Sequence, residues 1–311
     1  MVRNKAELLS ITGFLLFLLL PRYASPLVQF DPKRAFEHVK VLADRIGPRI
    51  AGTVGERKAG DYIASTFAKF GYDVRFQGPI VLNPVKRHTW NIIARRKHNV
   101  CKHRFRIVVG AHYDSTFKDR GSPGANDNAS GVAIILEVAR VLANVEFPFE
   151  IEFVAFGGEE SVDGNLNHHH YGSRFYVQQY LANRLKELRI VGMISVDMIG
   201  VGSEFYARTL GLADPYLVNK VLKSSRELGI PMRKKVGGPW SDHEPFEKVG
   251  IPSVWIHRRP DPNYHTRDDR PEKVRLPHLR DTGLVLLHTL LSLTEEDLNM
   301  MAQETGGGAS R

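Results

Sequence analysis

Short apolar runs rich in β-branched residues alternate along the chain with stretches in which apolar residues recur at helical spacing. The clearest candidate strands are 107–109, 151–156, 191–196 and 253–256. The predicted helices between and after them are 130–143, 173–181, 214–228 and 276–293. Strand–helix alternation predicts an α/β domain whose sheet is largely parallel and buried.

Both ends of the chain depart from this pattern. Arg3 and Lys5 precede a 13-residue apolar run, Leu8–Leu20, and this arrangement is typical of an export signal. The run is shorter than the roughly 18 apolar residues of a membrane-spanning helix. We therefore predict a signal peptide or N-terminal membrane anchor over residues 1–25, and a secreted or cell-envelope protein. The polar segment 295–311, which ends in a glycine run, is predicted to be disordered.

Composition restricts the chemistry. Lysine and arginine number 43 against 34 acidic residues, a net charge of +9, which invites an anionic partner. With a single cysteine, disulfide, zinc-finger and iron–sulfur frameworks are excluded, so a metal site must use His, Asp and Glu. Much of the positive charge lies between residues 86 and 106, where basic and apolar positions alternate. We interpret this segment as a hairpin with a basic loop around His98. Its tip is either solvated or a contact for an anionic membrane surface, rather than a nucleic-acid site.

Polar residues follow the candidate strands at their carboxyl ends, where α/β sheets bind ligands. His112 and Asp114 come directly after the run 107–109. In extended chain, residues two apart face the same way, so these two side chains can point together. A carboxylate can hold the second ring nitrogen of a metal-binding imidazole. The same pair is also typical of an ordinary surface contact.

Four other segments contribute further candidates. Asp127 precedes the helix 130–143, where the helix dipole favours an ionised carboxylate and where an ordinary N-cap is equally typical. Glu159 and Glu160 are adjacent after a strand, so their side chains diverge, and burying both requires a neutralising partner. Asp197 lies among apolar neighbours and therefore needs a partner. His265 lies in a polar segment after the last candidate strand.

The order and context of these motifs resemble the co-catalytic di-zinc aminopeptidases, whose relatives include bacterial leucyl aminopeptidases and glutaminyl cyclases. The resemblance extends over roughly residues 31–293. It includes Ile-Gly-Pro-Arg at 46–49, Trp-Asn-Ile-Ile-Ala at 90–94 and Tyr-Gly-Ser-Arg at 171–174. It implies one three-layer α/β/α domain over 31–294, with a central, mostly parallel mixed sheet.

Carried over residue by residue, the family pattern implies a pair of zinc ions. His112 and Asp197 would bind one ion, Glu160 and His265 the other, and Asp127 would bridge both. Three ligand carboxylates and a bridging hydroxide supply four negative charges, which two Zn²⁺ ions balance and one would leave in excess. His and carboxylate ligands suit zinc, and Co²⁺ or Mn²⁺ could substitute.

The same resemblance implies the catalytic groups. Glu159 is the general base: it takes a proton as a metal-bridging hydroxide attacks the N-terminal peptide bond, then protonates the leaving amine. Asp114 orients His112, and the bond from Asp127 to Asn128 is expected to be a cis peptide. The predicted function is a zinc-dependent aminopeptidase, a metallo-exopeptidase acting on peptides with a free N-terminus.

Two alternatives stay open. A glutaminyl-peptide cyclotransferase would use the same fold with one zinc, and His112, Tyr113 and Trp240 fit that branch, whereas Asp242 and the segment 127–131 look more like the peptidases. A non-catalytic, receptor-like binding domain typically loses ligands, whereas every ligand position is filled here. The segment His168–His170, in a loop after the two glutamates, is interpreted as having a structural or incidental role. Trp240 is expected to wall the substrate pocket, and the oligomeric state stays open.

Overall fold

The computed structural model describes residues 29–97, 105–165, 167–183, 185–186 and 188–304. The predicted export segment, the basic loop around His98 and residues 305–311 lie outside the described residues. No helix within the described ranges is long and apolar enough to cross a membrane.

Eight strands form one mixed sheet in the described part of the chain. They are β1 Tyr72–Leu82, β2 Arg87–Arg96, β3 Phe105–His112, β4 Glu150–Phe156, β5 Arg189–Val196, β6 Glu204–Thr209, β7 Arg233–Val236 and β8 Ser253–Arg259. Their order across the sheet is β1-β2-β4-β3-β5-β8-β6-β7. The central strands β4, β3, β5 and β8 run parallel, and the contacts of β2 with β4, β1 with β2, and β6 with β8 are antiparallel.

Helices cover both faces of this sheet, which confirms the predicted three-layer α/β/α architecture. The helices are α1 Pro32–Lys40, α2 Val54–Lys69, α3 Ser130–Leu142, α4 Tyr171–Asn183, α5 Tyr216–Glu227, α6 His243–Glu247, α7 Leu276–Ser292 and α8 Glu295–Glu304. Helices α4 and α6 pack on one face, and the others contribute to the larger core on the opposite face. Short helical turns at Val41–Ile46, Ala125–Ala129 and Pro271–Lys273 complete the set.

The central strands are apolar because helices cover them on both sides. In β3, Ile107 and Val109 pack into the larger core, whereas Val108 between them packs against the α4 side. Helix α3 is buried almost all round, as expected of a helix without a polar face. This rigid centre fixes the carboxyl ends of the parallel strands, which lie at one edge of the sheet.

The predicted basic hairpin is wrong. β2 and β3, which flank the basic loop, are not neighbours in the sheet, because β4 lies between them. Residues that are distant in sequence also neutralise part of the positive charge, since Arg95 and Arg106 form ion pairs with Glu152 and Glu150 of β4. Alternation of basic and apolar residues therefore reflects two separate strands that share the acidic strand β4.

The prediction of disorder after residue 294 is wrong for residues 295–304, which form helix α8. Leu298 and Met301 recur at helical spacing and are both fully buried. Asp297 accepts hydrogen bonds from the Tyr216 hydroxyl and from Lys220 Nζ of α5, at 2.7 and 2.9 Å. Because its polar residues outnumber its apolar ones, the segment resembles a solvated tail although one face belongs to the core.

Leu298→Ala is expected to destabilise the fold by about 2–5 kcal/mol, because the substitution leaves a cavity beneath α8. Urea unfolding followed by circular dichroism measures this change. Met300→Ala is the matched control: Met300 is 43% exposed, and its truncation should change the stability by no more than about 0.5 kcal/mol. Equal, small effects of the two substitutions would mean that α8 does not contribute to the core.

Candidate active site

The five predicted metal ligands meet at the carboxyl edge of the parallel strands. His112 ends β3, Glu160 follows β4, and Asp197 follows β5. Asp127 lies in the turn before α3, and His265 lies in the loop after β8. Residues separated by up to 153 positions therefore converge because parallel strands end at the same edge of the sheet.

Their side chains form two groups that share one residue. His112 Nε2 lies 3.2 Å from Asp127 Oδ1 and 3.4 Å from Asp197 Oδ1. His265 Nε2 lies 3.1 Å from Asp127 Oδ2 and 2.8 Å from Glu160 Oε1. The two oxygens of the Asp127 carboxylate thus face two different imidazoles, each accompanied by one further carboxylate.

The donor set fits a pair of cations. Asp127, Glu160 and Asp197 are buried, and Glu160 Oε1 and Asp197 Oδ1 have no hydrogen bond within the described residues. Burial, followed by the charge of Asp127, raises the pKa of Glu160 to about 8. Burial likewise raises the pKa of Asp197. Carboxylates that resist ionisation in this way gain most from a bound divalent cation, and two imidazoles with three carboxylates match the preferences of zinc.

The Asp114 carboxylate contacts both His112 and the turn that carries Glu159 and Glu160. Its oxygens accept hydrogen bonds from the backbone N–H groups of Glu159 and Glu160, both at 3.1 Å. Asp114 Oδ1 also lies 3.5 Å from His112 Nδ1, an ion-pair distance. One buried carboxylate therefore holds the turn that carries both glutamates and faces the rear nitrogen of His112.

The peptide bond between Asp127 and Asn128 is cis, as the family resemblance predicts. Asn128 holds this turn: its Nδ2 donates to the Val196 carbonyl at 3.0 Å, and its Oδ1 accepts from Gly131 N at 2.8 Å. Asp269, which sequence reasoning did not single out, accepts from the backbone N–H of Asp127 at 3.0 Å. Asp127 is therefore held by its backbone and makes no N-cap hydrogen bond to α3.

Glu159 and Glu160 diverge as predicted. Glu160 points at His265, whereas Glu159 belongs to neither metal-ligand group. Glu159 Oε2 lies 3.9 Å from His112 Nε2, and Oε1 lies 3.0 Å from His170 Nε2. Burial would raise the pKa of Glu159, but the charges of His112 and His170 outweigh it and the pKa falls below its ordinary value.

The three histidines of His168–His170, predicted to have a structural or incidental role, differ in their surroundings. His170 is 1% exposed, and its Nδ1 lies 2.6 Å from Glu244 Oε2. His168 instead pairs with Asp163 near the surface. No local pattern distinguishes the three histidines, and Glu244 is 74 positions away, so the sequence holds no signal for this contact.

A cavity of about 250 Å³ opens in front of these groups. Trp240 lines it, as expected, and is 63% exposed. Asp242 lies deeper and is fully buried; burial and the charge of Glu159 raise its pKa to about 7. The remaining wall is both aromatic and basic, and includes Tyr264, Arg259 and Lys118.

Known proteins resemble this chain in sequence and in fold. Aminopeptidase YwaD of Bacillus subtilis is 36% identical over 203 residues, covering 62% of this chain and 42% of the relative. A probable leucine aminopeptidase of Arthroderma benhamiae is 32% identical over 187 residues, covering 54% of this chain and 48% of the relative. The chain thus spans less than half the length of these curated relatives.

Solved structures resemble the fold over most of the chain. The zinc aminopeptidase BSAP from Bacillus subtilis has a TM-score of 0.74 at 23% identity, and the alignment covers 86% of this chain and 96% of that one. The glutaminyl cyclase of Fimbriiglobus ruber has a TM-score of 0.75 at 25% identity, with coverages of 85% and 96%. The model of peptidase family M28 matches residues 91–290, a range that contains every residue of the two metal-ligand groups. The chain belongs to peptidase family M28.

Proposed function

We propose that this member of family M28 is a zinc-dependent aminopeptidase, a hydrolase that removes the N-terminal residue from peptides. The observation that carries the proposal is the position of Asp127, whose two oxygens lie 3.2 and 3.1 Å from the imidazoles of His112 and His265. A carboxylate shared between two complete donor groups suits a pair of metal ions. The names of the related aminopeptidases support the same activity.

Each donor group would hold one zinc ion. His112 and Asp197 would complete one site and Glu160 and His265 the other, with Asp127 in both. When bound, zinc supplies Lewis acidity that polarises a carbonyl and lowers the pKa of water. Three buried ligand carboxylates carry three negative charges, more than one Zn²⁺ ion would balance.

The chain itself supplies the proton transfer. The Glu159 carboxylate belongs to neither ligand group, so it is free to accept a proton from the attacking water. It then returns that proton to the leaving amine. Asp114 holds the Glu159 backbone at 3.1 Å and so fixes the base relative to His112.

The discriminating experiment compares two substrate classes and counts the metal. We expect the purified protein to hydrolyse aminoacyl-anilides and to hold about two zinc ions per chain. A glutaminyl cyclase would instead convert N-terminal glutaminyl peptides to pyroglutamyl peptides and would hold about one. Cyclisation without anilide hydrolysis would overturn the proposal. His112 and Asp197, 3.4 Å apart, complete the donor group for a second zinc ion. A second zinc site favours the peptidase over the cyclase.

A non-catalytic binding domain is disfavoured for the same reason, since neither donor group lacks a member. Export stays a prediction based on the apolar run Leu8–Leu20. N-terminal sequencing of the protein recovered from the cell envelope and the medium tests it. Recovery only with the uncleaved N-terminus and inside the cell would contradict export.

A further inference from the structure

His170 lies between two carboxylates, with one contact for each ring nitrogen. Its Nε2 lies 3.0 Å from Glu159 Oε1, and its Nδ1 lies 2.6 Å from Glu244 Oε2. The imidazole is 1% exposed, so water does not compete for either nitrogen. Glu244, His170 and Glu159 thus form one continuous chain of hydrogen bonds that ends on the proposed general base.

The direction of these hydrogen bonds follows from the chemistry of the partners. An ionised carboxylate can only accept, so the nitrogen facing Glu159 is the donor and the nitrogen facing Glu244 also donates. Glu244 is anchored in turn by Lys248, whose Nζ lies 2.5 Å from Oε1, and by Arg174 at 3.6 Å. The hydrogen bonds from His170 and Lys248 outweigh burial and keep the pKa of Glu244 well below its usual range.

The backbone holds the ring at the same place. His170 N donates to the Glu159 carbonyl at 2.8 Å, and Tyr171 N donates to the Gly158 carbonyl at 2.8 Å. His170 has a φ of 54°, the left-handed conformation that residues other than glycine rarely adopt. Because this backbone conformation disfavours histidine, the contacts of the side chain are the better explanation for a histidine at this position.

A third metal site at His169, His170 and Glu244 explains the cluster less well. Both nitrogens of His170 already have partners. Lys248 lies against Glu244, and the Arg174 guanidinium is 3.1 Å from His169 Nε2. Two fixed cations beside the candidate ligands oppose another cation there.

We propose that His170, oriented by Glu244, is a positioning residue that holds the carboxylate of Glu159 in its working orientation. With Oε1 held by His170, Oε2 is left to exchange the proton, and Oε2 is the oxygen nearest His112, at 3.9 Å. Without the donor, the glutamate side chain could rotate towards the donor groups that would hold the metal ions. This inference rests on the proposed role of Glu159 as general base.

Kinetics of the zinc-loaded enzyme provide the first test. His170→Leu is expected to lower kcat by about 10- to 100-fold, with KM and zinc content within about twofold of wild type. His170→Asn, which retains a donor, should recover part of the loss. Glu244→Leu should resemble His170→Leu, and the double variant should be no slower than His170→Leu alone, because both act through one contact.

A matched control comes from the same loop. His168 also pairs with a carboxylate, Asp163, at 2.8 Å, but at the surface and away from Glu159. His168→Leu should leave kcat unchanged. A normal kcat in His170→Leu, or a loss of zinc in place of a loss of kcat, would overturn the proposal.

NMR of ¹⁵N-histidine-labelled, metal-free protein gives a readout independent of turnover. His170 should show strongly downfield N–H protons for both ring nitrogens. Glu244→Gln should shift the Nδ1 signal, and Glu159→Gln the Nε2 signal. Absence of both signals would disprove the contact even if the enzyme is an active aminopeptidase. Conversely, an inactive wild-type protein with both signals would contradict the proposed function and leave the contact intact.

Discussion

Asp127→Asn is expected to lower kcat/KM for an aminoacyl-anilide by about 10²- to 10⁴-fold, together with a loss of bound zinc. The substitution keeps the shape of the side chain but removes the charge shared by both donor groups, whose imidazoles lie 3.2 and 3.1 Å away. Removing one partner of a buried charged cluster costs about 3–5 kcal/mol, which corresponds to that range. Zinc analysis and steady-state kinetics measure both effects.

A second readout of the same variant does not depend on turnover. Zinc should raise the melting temperature of metal-free wild type, because a ligand that binds only the folded state stabilises it. Zinc should raise that of Asp127→Asn far less. Asp73→Asn, an exposed aspartate on β1, is the matched control and should behave as wild type. Full zinc binding by Asp127→Asn would contradict the bridging role.

The central strands could be predicted because a strand that is buried on both faces appears in the sequence as a continuous apolar run. Runs such as 107–109 and 151–156 are apolar since helices cover both sides of β3 and β4. The sheet order could not be predicted from local pattern. β4 lies between β2 and β3, and its acidic residues pair with Arg95 and Arg106; neither the strand order nor these ion pairs are local properties of the sequence.

Four of the five candidate ligands could be predicted because each lies near the end of a strand or the start of a helix that the sequence itself indicates, whereas His265 lies in the loop after β8. The family resemblance then supplied roles that single motifs left open, as for Asp127. The residues that hold the candidate ligands and the proposed general base in place could not be predicted in the same way. Asp269 and Glu244 contact the site through hydrogen bonds to residues 142 and 74 positions away, and no local pattern indicates either contact.

Glu159→Gln is expected to lower kcat by about 10²- to 10⁴-fold while zinc content and KM stay near wild type. The amide can still accept a hydrogen bond from His170, at the present distance of 3.0 Å, but it cannot take a proton from water. General-base catalysis contributes about 10²- to 10⁴-fold in enzymes, which sets the expected loss. Full activity in this variant would remove Glu159 from the proton transfer.

The neighbouring glutamate provides the contrast that makes this test specific. Glu160 Oε1 lies 2.8 Å from His265 Nε2 within one donor group, so Glu160→Gln should lose zinc and activity together. Glu159 lies outside both groups, so its variant should lose activity alone. Adjacent residues with the same side chain thus separate proton transfer from metal binding. If both variants lost zinc equally, Glu159 would be a ligand rather than a base, and the assignment of separate roles to the two carboxylates would be wrong.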